Sequence, residues 1–151
     1  MNTDVTLRPA RSSDVAELAA LATQLGYPST AAEVAARLPR LLDDPEQLVA
    51  VAVDAHDRAV GSVHVVVRRQ LESDPWVEIT ALVVDDVARG SGFGRALLEH
   101  AEAWAAARGY TFVQLRSNVV RERAHRFYVR EGYTKVKEQV LLHRRVPRNP
   151  A

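Results

Sequence analysis

Residues 83–98 read Val-Val-Asp-Asp-Val-Ala-Arg-Gly-Ser-Gly-Phe-Gly-Arg-Ala-Leu-Leu. This stretch joins a valine-rich segment, typical of a strand, to a segment whose apolar residues recur at helical spacing. The glycines at the junction allow backbone angles that other residues avoid. Several N–H groups can therefore converge on one anion at the positive end of the helix dipole. We expect a phosphate or pyrophosphate to bind there.

The spacing of these glycines separates the common families that bind phosphate through such turns. A dinucleotide fingerprint would place its third glycine at position 95, where this chain has Arg95. A Walker loop would need Gly-Lys-Ser/Thr, which is absent from the sequence. An RNA-binding RNP motif would need an aromatic residue at position 91, which is Ser91. All three alternatives are excluded.

The flanking segments predict a mixed α/β layer structure. A capping box at Thr30–Glu33 starts the second helix, and Pro39 is expected to end or kink it. Residues 68–75 read as a polar loop. The predicted elements, in chain order, are a strand at 5–7, a helix from Ser12 to Gly26, a helix from Thr30, a hairpin of 48–53 with 59–67, a strand at 76–84, a helix to about Arg108, a strand at 111–116, a helix at 121–131, and one or two strands in 133–146.

Composition limits the classes of protein that this chain can form. Its 151 residues suit one domain, 1–151, and 47% hydrophobic with 26% charged residues excludes a disordered chain. A net charge of +1 offers no broad field for nucleic acid or anionic lipid. The absence of cysteine excludes disulfides, thiolate metal sites and a protein thiol nucleophile. The apolar runs are too short to span a membrane and no leader pattern is present, so we expect a cytoplasmic protein.

The turn also matches the pattern Arg/Gln-x-x-Gly-x-Gly/Ala through Arg89, Gly92 and Gly94. In this it resembles the GNAT superfamily of N-acetyltransferases, and the resemblance extends from about Trp76 to Tyr133. It implies a single-domain, three-layer fold with a mostly antiparallel sheet splayed between the fourth and fifth strands. It also implies acetyl-coenzyme A as cosubstrate. The residues it assigns to acetyl-coenzyme A are Arg89, Gly90, Ser91, Gly92, Phe93, Gly94, Arg95 and Asn118, together with backbone groups of Leu82, Val83 and Val84.

Glu78 is the candidate general base. It lies among large apolar neighbours in the predicted strand 76–84, 11 residues before Arg89. The histone-acetylating branch of the superfamily carries its catalytic glutamate at this offset, so the resemblance implies that Glu78 removes a proton from the acceptor, directly or through water. The alternative is a glutamate that alternates outward on a half-exposed strand.

Tyr128 is the candidate general acid. Residues 118–133 resemble the family signature of an asparagine, a helix bearing alanine and tyrosine, and a final Gly-Phe/Tyr. The resemblance implies that Tyr128 protonates the coenzyme A thiolate, and a phenol with an ordinary pKa near 10 is protonated at neutral pH. Tyr128 could instead be an aromatic core residue, and Asn118 an ordinary N-cap.

The acceptor is expected to be the primary amine of a small molecule. Residues 78–89 and 124–133 look most like aminoalkylphosphonate N-acetyltransferases and their small-molecule relatives. A phosphonate could be bound by Arg68, Arg69 or Arg121. A protein or peptide N-acetyltransferase and a non-catalytic acyl-coenzyme A sensor remain alternatives. A homodimer is compatible with the resemblance.

The histidines carry no recognisable metal or triad pattern. The spacing of four of the five histidines, at 64, 100, 125 and 143, fits neither a metal site nor a catalytic triad. We therefore expect no metal, and we expect these side chains to pack or to face solvent.

Overall fold

The computed structural model describes residues 5–149, and within them five strands form one sheet in the order β1-β2-β3-β4-β5. The strands β1 to β4 pair antiparallel, and β4 pairs with β5 in parallel. The strands are β1 Thr6–Pro9, β2 Gln47–Val53, β3 Ala59–Gln70, β4 Ser73–Val84 and β5 Val113–Leu115. The helices are α1 Val15–Leu25, α2 Ala31–Asp43, α3 Phe93–Ala107 and α4 Glu122–Arg130, with short 3-10 turns at Ser12–Asp14 and Asp86–Ala88.

The chain divides into two compact units after Arg116. The first unit holds the sheet and the helices α1 to α3, and the second holds α4. The mixed sheet with helices on both faces is the fold class that the sequence predicts. No helix among residues 5–149 is long and apolar enough to cross a membrane.

The helices of the first unit lie on opposite faces of the sheet. Gly61 and Ser62 are consecutive on β3, so they face opposite sides. A Cβ atom on Gly61 would lie 3.0 Å from Leu97 Cδ1 of α3, whereas Ser62 shares a cavity with Leu18 of α1. Apolar side chains of α1, α2 and β2 form one core layer, and Leu97 and Leu98 are fully buried on the other face. The three-layer arrangement follows from this alternation.

Local signals predict the helix ends well. Thr30 accepts from the Glu33 N–H while the Glu33 side chain accepts from the Thr30 N–H, which completes the predicted capping box. Gly26 ends α1 in the left-handed conformation at φ 108°. The prediction that Pro39 ends or kinks its helix is wrong as to the end, because α2 continues to Asp43. Proline removes one backbone N–H donor, so one hydrogen bond of the helix is missing at this position. The neighbouring Leu38 is buried in the core, and this packing favours the helix despite the missing bond.

Two predictions about strands are wrong. The expected loop 68–75 is a continuation of the hairpin, since β3 runs to Gln70, β4 starts at Ser73, and these two residues pair. Backbone pairing does not depend on the polarity of side chains, which the loop prediction assumed. The strands expected within 133–146 are absent, because residues 133–149 form neither helix nor strand. An apolar run indicates a strand only where a partner strand supplies the ladder.

Candidate active site

The strand β4 separates from β5 part-way along its length. The parallel pairs run from Val77–Val113 to Ile79–Leu115, whereas β4 continues to Val84. On its other side β4 stays paired with β3, but the register shifts at Thr80, which lies between the pairs Val65–Ile79 and His64–Ala81. Such a bulge bends a strand and re-aims its side chains. Beyond Ile79, β4 has no paired strand on that side among the described residues, as the predicted splay between the fourth and fifth strands requires.

Glu78 lies two residues before the bulge residue Thr80 and is buried, with its side chain 5% exposed. Arg68 Nε donates to Oε2 at 2.9 Å, and Arg116 Nη1 donates to Oε1. The two arginine side chains are 50% and 61% exposed. The alternative of an outward, solvent-exposed glutamate is wrong, because β4 is covered here and the carboxylate is bonded on both oxygens.

The carboxylate of Glu78 keeps room for a further partner. An ionised carboxylate offers about four acceptor positions, and the two arginines occupy one on each oxygen. A water molecule or an ammonium group can therefore still donate to it. Sequence reasoning did not single out Arg116. The signal that finds it is the parallel register, which pairs Glu78 with Gln114; Arg116 lies two residues after Gln114, one residue past the end of β5.

His64 lies on the same face of the sheet as Glu78. Its Nε2 is 2.8 Å from Gln47 Oε1. Burial lowers the pKa of His64, and the charge of Arg68 lowers it further. The imidazole is therefore neutral at physiological pH, and the expectation that it packs within the protein fits its half-buried position. No cluster of metal-binding side chains occurs in the described part of the chain.

The glycine-rich turn has the backbone that its sequence predicts. Gly90 and Gly92 adopt left-handed angles, φ 84° and 83°, and Gly92 is the N-cap of α3. The first intrahelical bond runs from the Ala96 N–H to the Gly92 carbonyl at 3.1 Å, so the N–H groups before Ala96 have no partner within the helix. A Cβ atom at Gly90 or Gly92 would meet nothing within 4 Å. The turn is open enough for a phosphate to approach its N–H groups.

The side chains around this turn are held by acidic neighbours. Arg89 pairs with Asp86 at 2.8 Å, and Arg95 Nε donates to Glu99 at 3.0 Å. Asp85 accepts from the Val87 N–H and fixes the 3-10 turn that precedes the glycines. The backbone N–H groups, rather than free guanidinium groups, are the main donors that this turn offers to an anion.

The second unit carries the other two predicted residues. Tyr128 on α4 is half-buried, and its ring meets Phe127 and Tyr133 edge-on at centroid distances of 5.2 and 5.8 Å. Burial raises the pKa of Tyr128, and the charge of Arg121 opposes part of that rise. Asn118 Oδ1 accepts from the Val120 N–H at 3.1 Å, so its side-chain oxygen stabilises the turn before α4. Asn118 is not the N-cap of that helix, because Arg121 is.

The sequence model described as "Acetyltransferase (GNAT) family" matches residues 13–133, well over half of the chain. This chain belongs to the GNAT family. Over 75 residues it is 40% identical to the aminoalkylphosphonate N-acetyltransferase of Salmonella typhimurium. The matched segment makes up 49% of each protein. The match thus spans about half the length of that relative.

Solved structures of other proteins share the GNAT fold. An aminoglycoside antibiotic 6′-N-acetyltransferase from Acinetobacter baumannii superimposes with a TM-score of 0.82 at 16% identity, over 95% of this chain and 99% of that one. A protein described as a transcriptional regulator from Bacillus halodurans C-125 gives a TM-score of 0.80 at 25% identity, over 92% and 99%. The resemblance to the GNAT superfamily is confirmed, and so is the fold class.

Two of the three arginines considered for phosphonate binding are bonded to carboxylates. Arg68 is bonded to Glu78, and Arg69 donates to Glu46 through Nε and Nη2 and to the Tyr110 hydroxyl. Arg121 begins α4 beside Tyr128. At the end of β3, a phosphonate would therefore share Arg68 or Arg69 with the carboxylate that each already binds.

Proposed function

We propose that this chain is an N-acetyltransferase that moves the acetyl group of acetyl-coenzyme A directly to the primary amine of a small molecule, in a ternary complex. The observation that carries the proposal is the open turn of Gly90 and Gly92 at the start of α3, which follows the strand that departs from β5 after Ile79. Family membership supports the same reaction class.

The turn and β4 would hold the cosubstrate. The N–H groups from Gly90 to Arg95, at the positive end of α3, would bind the pyrophosphate of coenzyme A. Beyond Ile79, every second residue of β4 directs its backbone N–H and C=O groups away from β3. Among Leu82, Val83 and Val84 these groups would bind the pantetheine arm and polarise the thioester carbonyl. Asn118 would add a polar contact through its amide group.

Two side chains would move the protons. Glu78 would accept a proton from the ammonium group of the acceptor, directly or through a water molecule. The freed amine nitrogen would attack the thioester carbonyl carbon, so that the C–N bond forms and the C–S bond breaks, and the nitrogen would release its second proton to water. Tyr128 would donate its phenolic proton to the leaving thiolate and regain a proton from water, and its raised pKa keeps that proton in place at neutral pH. The cysteine-free sequence leaves no protein thiol to carry the acetyl group.

Thiol release tests the proposal. Acetyl-coenzyme A is incubated with the protein and a panel of small primary amines, and in parallel with a peptide that has a free N-terminus and a lysine. We expect release of coenzyme A with at least one small amine, and a product heavier by about 42 Da. Transfer to the peptide alone would replace this proposal with a peptide N-acetyltransferase. Binding of acetyl-coenzyme A without any transfer would indicate a sensor.

A further inference from the structure

A cavity of about 280 Å³ lies between α1 and the strands β3 and β4. Leu18 and Ala22 of α1 line one side, and Ser62 of β3 with Thr80 and Ala81 of β4 lines the other. All of these residues belong to the first unit, so the cavity does not depend on the position of the second. Its volume is just below the usual range of small-molecule sites, about 300–1,000 Å³, so it suits a small ligand.

The cavity faces the same side of the sheet as Glu78. Ala81 pairs with His64 and Glu78 pairs with Val66. His64 and Val66 are two residues apart on β3 and therefore share a face, which places Ala81 and Glu78 on that face as well. The bulge residue Thr80 lies between them. Glu78 and the cavity therefore lie on one face of the sheet, separated along β4 by Ile79 and the cavity residue Thr80.

The lining of the cavity is uncharged. Its polar groups are the hydroxyls of Ser62, Thr80 and Tyr27, and Thr80 already donates to the His64 carbonyl at 3.2 Å. The remaining lining side chains are aliphatic, while Tyr27 stands at the rim with 70% of its surface exposed. An ionised group placed in such a lining would lose hydration without gaining a partner, which is costly.

The charged side chains near this face are paired with one another. Arg68 is bonded to Glu78, and Arg58 lies 3.6 Å from Glu17. Arg68 uses only its Nε for Glu78 and is half exposed, so an anionic group beside Glu78 can still be bound there, whereas one inside the cavity would have no charged partner. A second ammonium group in the cavity would meet only hydroxyls. An apolar body would instead bury its surface against Leu18 and Ala22, and an aromatic ring could also contact the Tyr27 ring.

We infer that this cavity holds the body of the acceptor and that the acceptor is a primary amine with an uncharged, mainly apolar body, such as an arylalkylamine. This inference rests on the proposed acetyl transfer and names the substrate class of the same site. Such an acceptor differs from an aminoalkylphosphonate, whose anionic group would lie where the cavity has only apolar atoms and hydroxyls.

Two amines that differ only at the far carbon separate these substrate classes. The specificity constant kcat/KM is measured for phenethylamine and for aminoethylphosphonate, with ethylamine as an acceptor too short to fill the cavity. We expect phenethylamine to exceed aminoethylphosphonate by at least about tenfold. The reverse preference would overturn the inference while leaving acetyl transfer intact. Failure of every amine to release coenzyme A would instead contradict the proposed function.

Two variants locate the binding site. Ala22→Phe fills the cavity from α1, and Ala20→Phe places the same ring on an exposed position of that helix as a control. We expect Ala22→Phe to raise the KM for phenethylamine at least about tenfold while ethylamine is unaffected, and Ala20→Phe to change neither. Tyr27→Ala, at the exposed rim, should raise the same KM several-fold without affecting folding. Unchanged KM values in both Ala22→Phe and Tyr27→Ala would overturn the inference.

Discussion

Arg68 Nε lies 2.9 Å from Oε2 of Glu78, across the antiparallel pair of β3 and β4. The arginine is half exposed and the glutamate is buried, so one end of this ion pair reaches solvent and the other does not. Arg116 bonds the other oxygen of the same carboxylate. The arrangement allows a charged glutamate to occupy an otherwise apolar strand, because a buried charge requires partners.

The two arginines should be mutually dependent in their effect on stability. Arg68→Gln or Arg116→Gln alone leaves Glu78 one guanidinium partner, and we expect each to lower the free energy of unfolding by about 1–2 kcal/mol. The double variant leaves the buried carboxylate unpaired and should cost about 3–5 kcal/mol. Urea unfolding at neutral pH measures all three. The loss in the double variant should exceed the sum of the two single losses measured in the same series, and a loss equal to that sum would contradict the shared role of the two side chains.

The proton-transfer roles predict a specific kinetic defect. Glu78→Gln and Tyr128→Phe keep the shape of each side chain but remove the group that carries the proton. Because general acid–base catalysis contributes about 10²–10⁴-fold, we expect each variant to lower kcat by about 100-fold or more, with little change in the KM for acetyl-coenzyme A. Steady-state thiol release measures both constants.

Matched variants control this experiment. Tyr133→Phe removes a hydroxyl from a ring that packs against Tyr128, and Glu72→Gln neutralises a glutamate at the tip of the β3–β4 hairpin. Both should retain kcat within about twofold, as expected for positions outside the proton path. Full turnover in the Glu78→Gln, Tyr128→Phe double variant would eliminate the proposed mechanism.

The left-handed angle at Gly92 should matter for cosubstrate binding. Gly92→Ala meets no steric obstacle, but it forces an L-residue to φ 83°, which costs about 1–2 kcal/mol. We expect the backbone at the helix start to move away from this angle, which displaces the N–H groups that would bind the cosubstrate. Calorimetric titration should then show a dissociation constant for acetyl-coenzyme A that is about tenfold higher or more. Val87→Ala, at an exposed position earlier in the turn, should bind normally. Equal affinity in Gly92→Ala and the parent would show that the turn does not bind the cosubstrate.

His64 should make folding sensitive to mild acid. Its pKa lies below 6.5 in the folded protein because burial and Arg68 disfavour the charged form. As the pH falls below about 6.5, the unfolded chain binds a proton that the folded chain does not, so the free energy of unfolding decreases until the folded-state pKa is passed. Urea unfolding between about pH 5 and 8 should show a steeper acid loss in the parent than in His64→Gln. Parallel pH curves for the two proteins would refute this.

Features encoded within a few residues were predictable from the sequence. The capping box of Thr30 and Glu33, and the left-handed glycines at 26, 90 and 92, depend on local backbone chemistry, and the structure has all of them. Contacts between residues far apart in the sequence were harder to predict from it. The extension of the β3–β4 hairpin through Arg68 depends on pairing between strands, which side-chain patterns do not specify.

The candidate site shows the same division. The burial of Glu78 follows from its apolar neighbours, but its partnership with Arg116 depends on the parallel register of β5, which no local signal encodes. The cavity beside Thr80 depends on a bulge that places one extra residue opposite β3. The alternation of apolar and polar residues along β4 does not indicate this bulge. The sequence therefore placed Glu78 on a buried strand more readily than it indicated the space around that residue.

Transfer of labelled acetyl groups tests the central claim most directly. The protein is mixed with acetyl-coenzyme A labelled in the acetyl group, first alone and then with a primary amine, and the masses of protein and amine are followed over time. Direct transfer predicts an unmodified protein in both mixtures and, in the second, an amine heavier by the labelled acetyl group, which is about 42 Da plus the mass of the label. A protein that gains this mass before the amine is added and loses it afterwards would contradict direct transfer, and an amine that stays unlabelled throughout the panel would contradict catalysis itself.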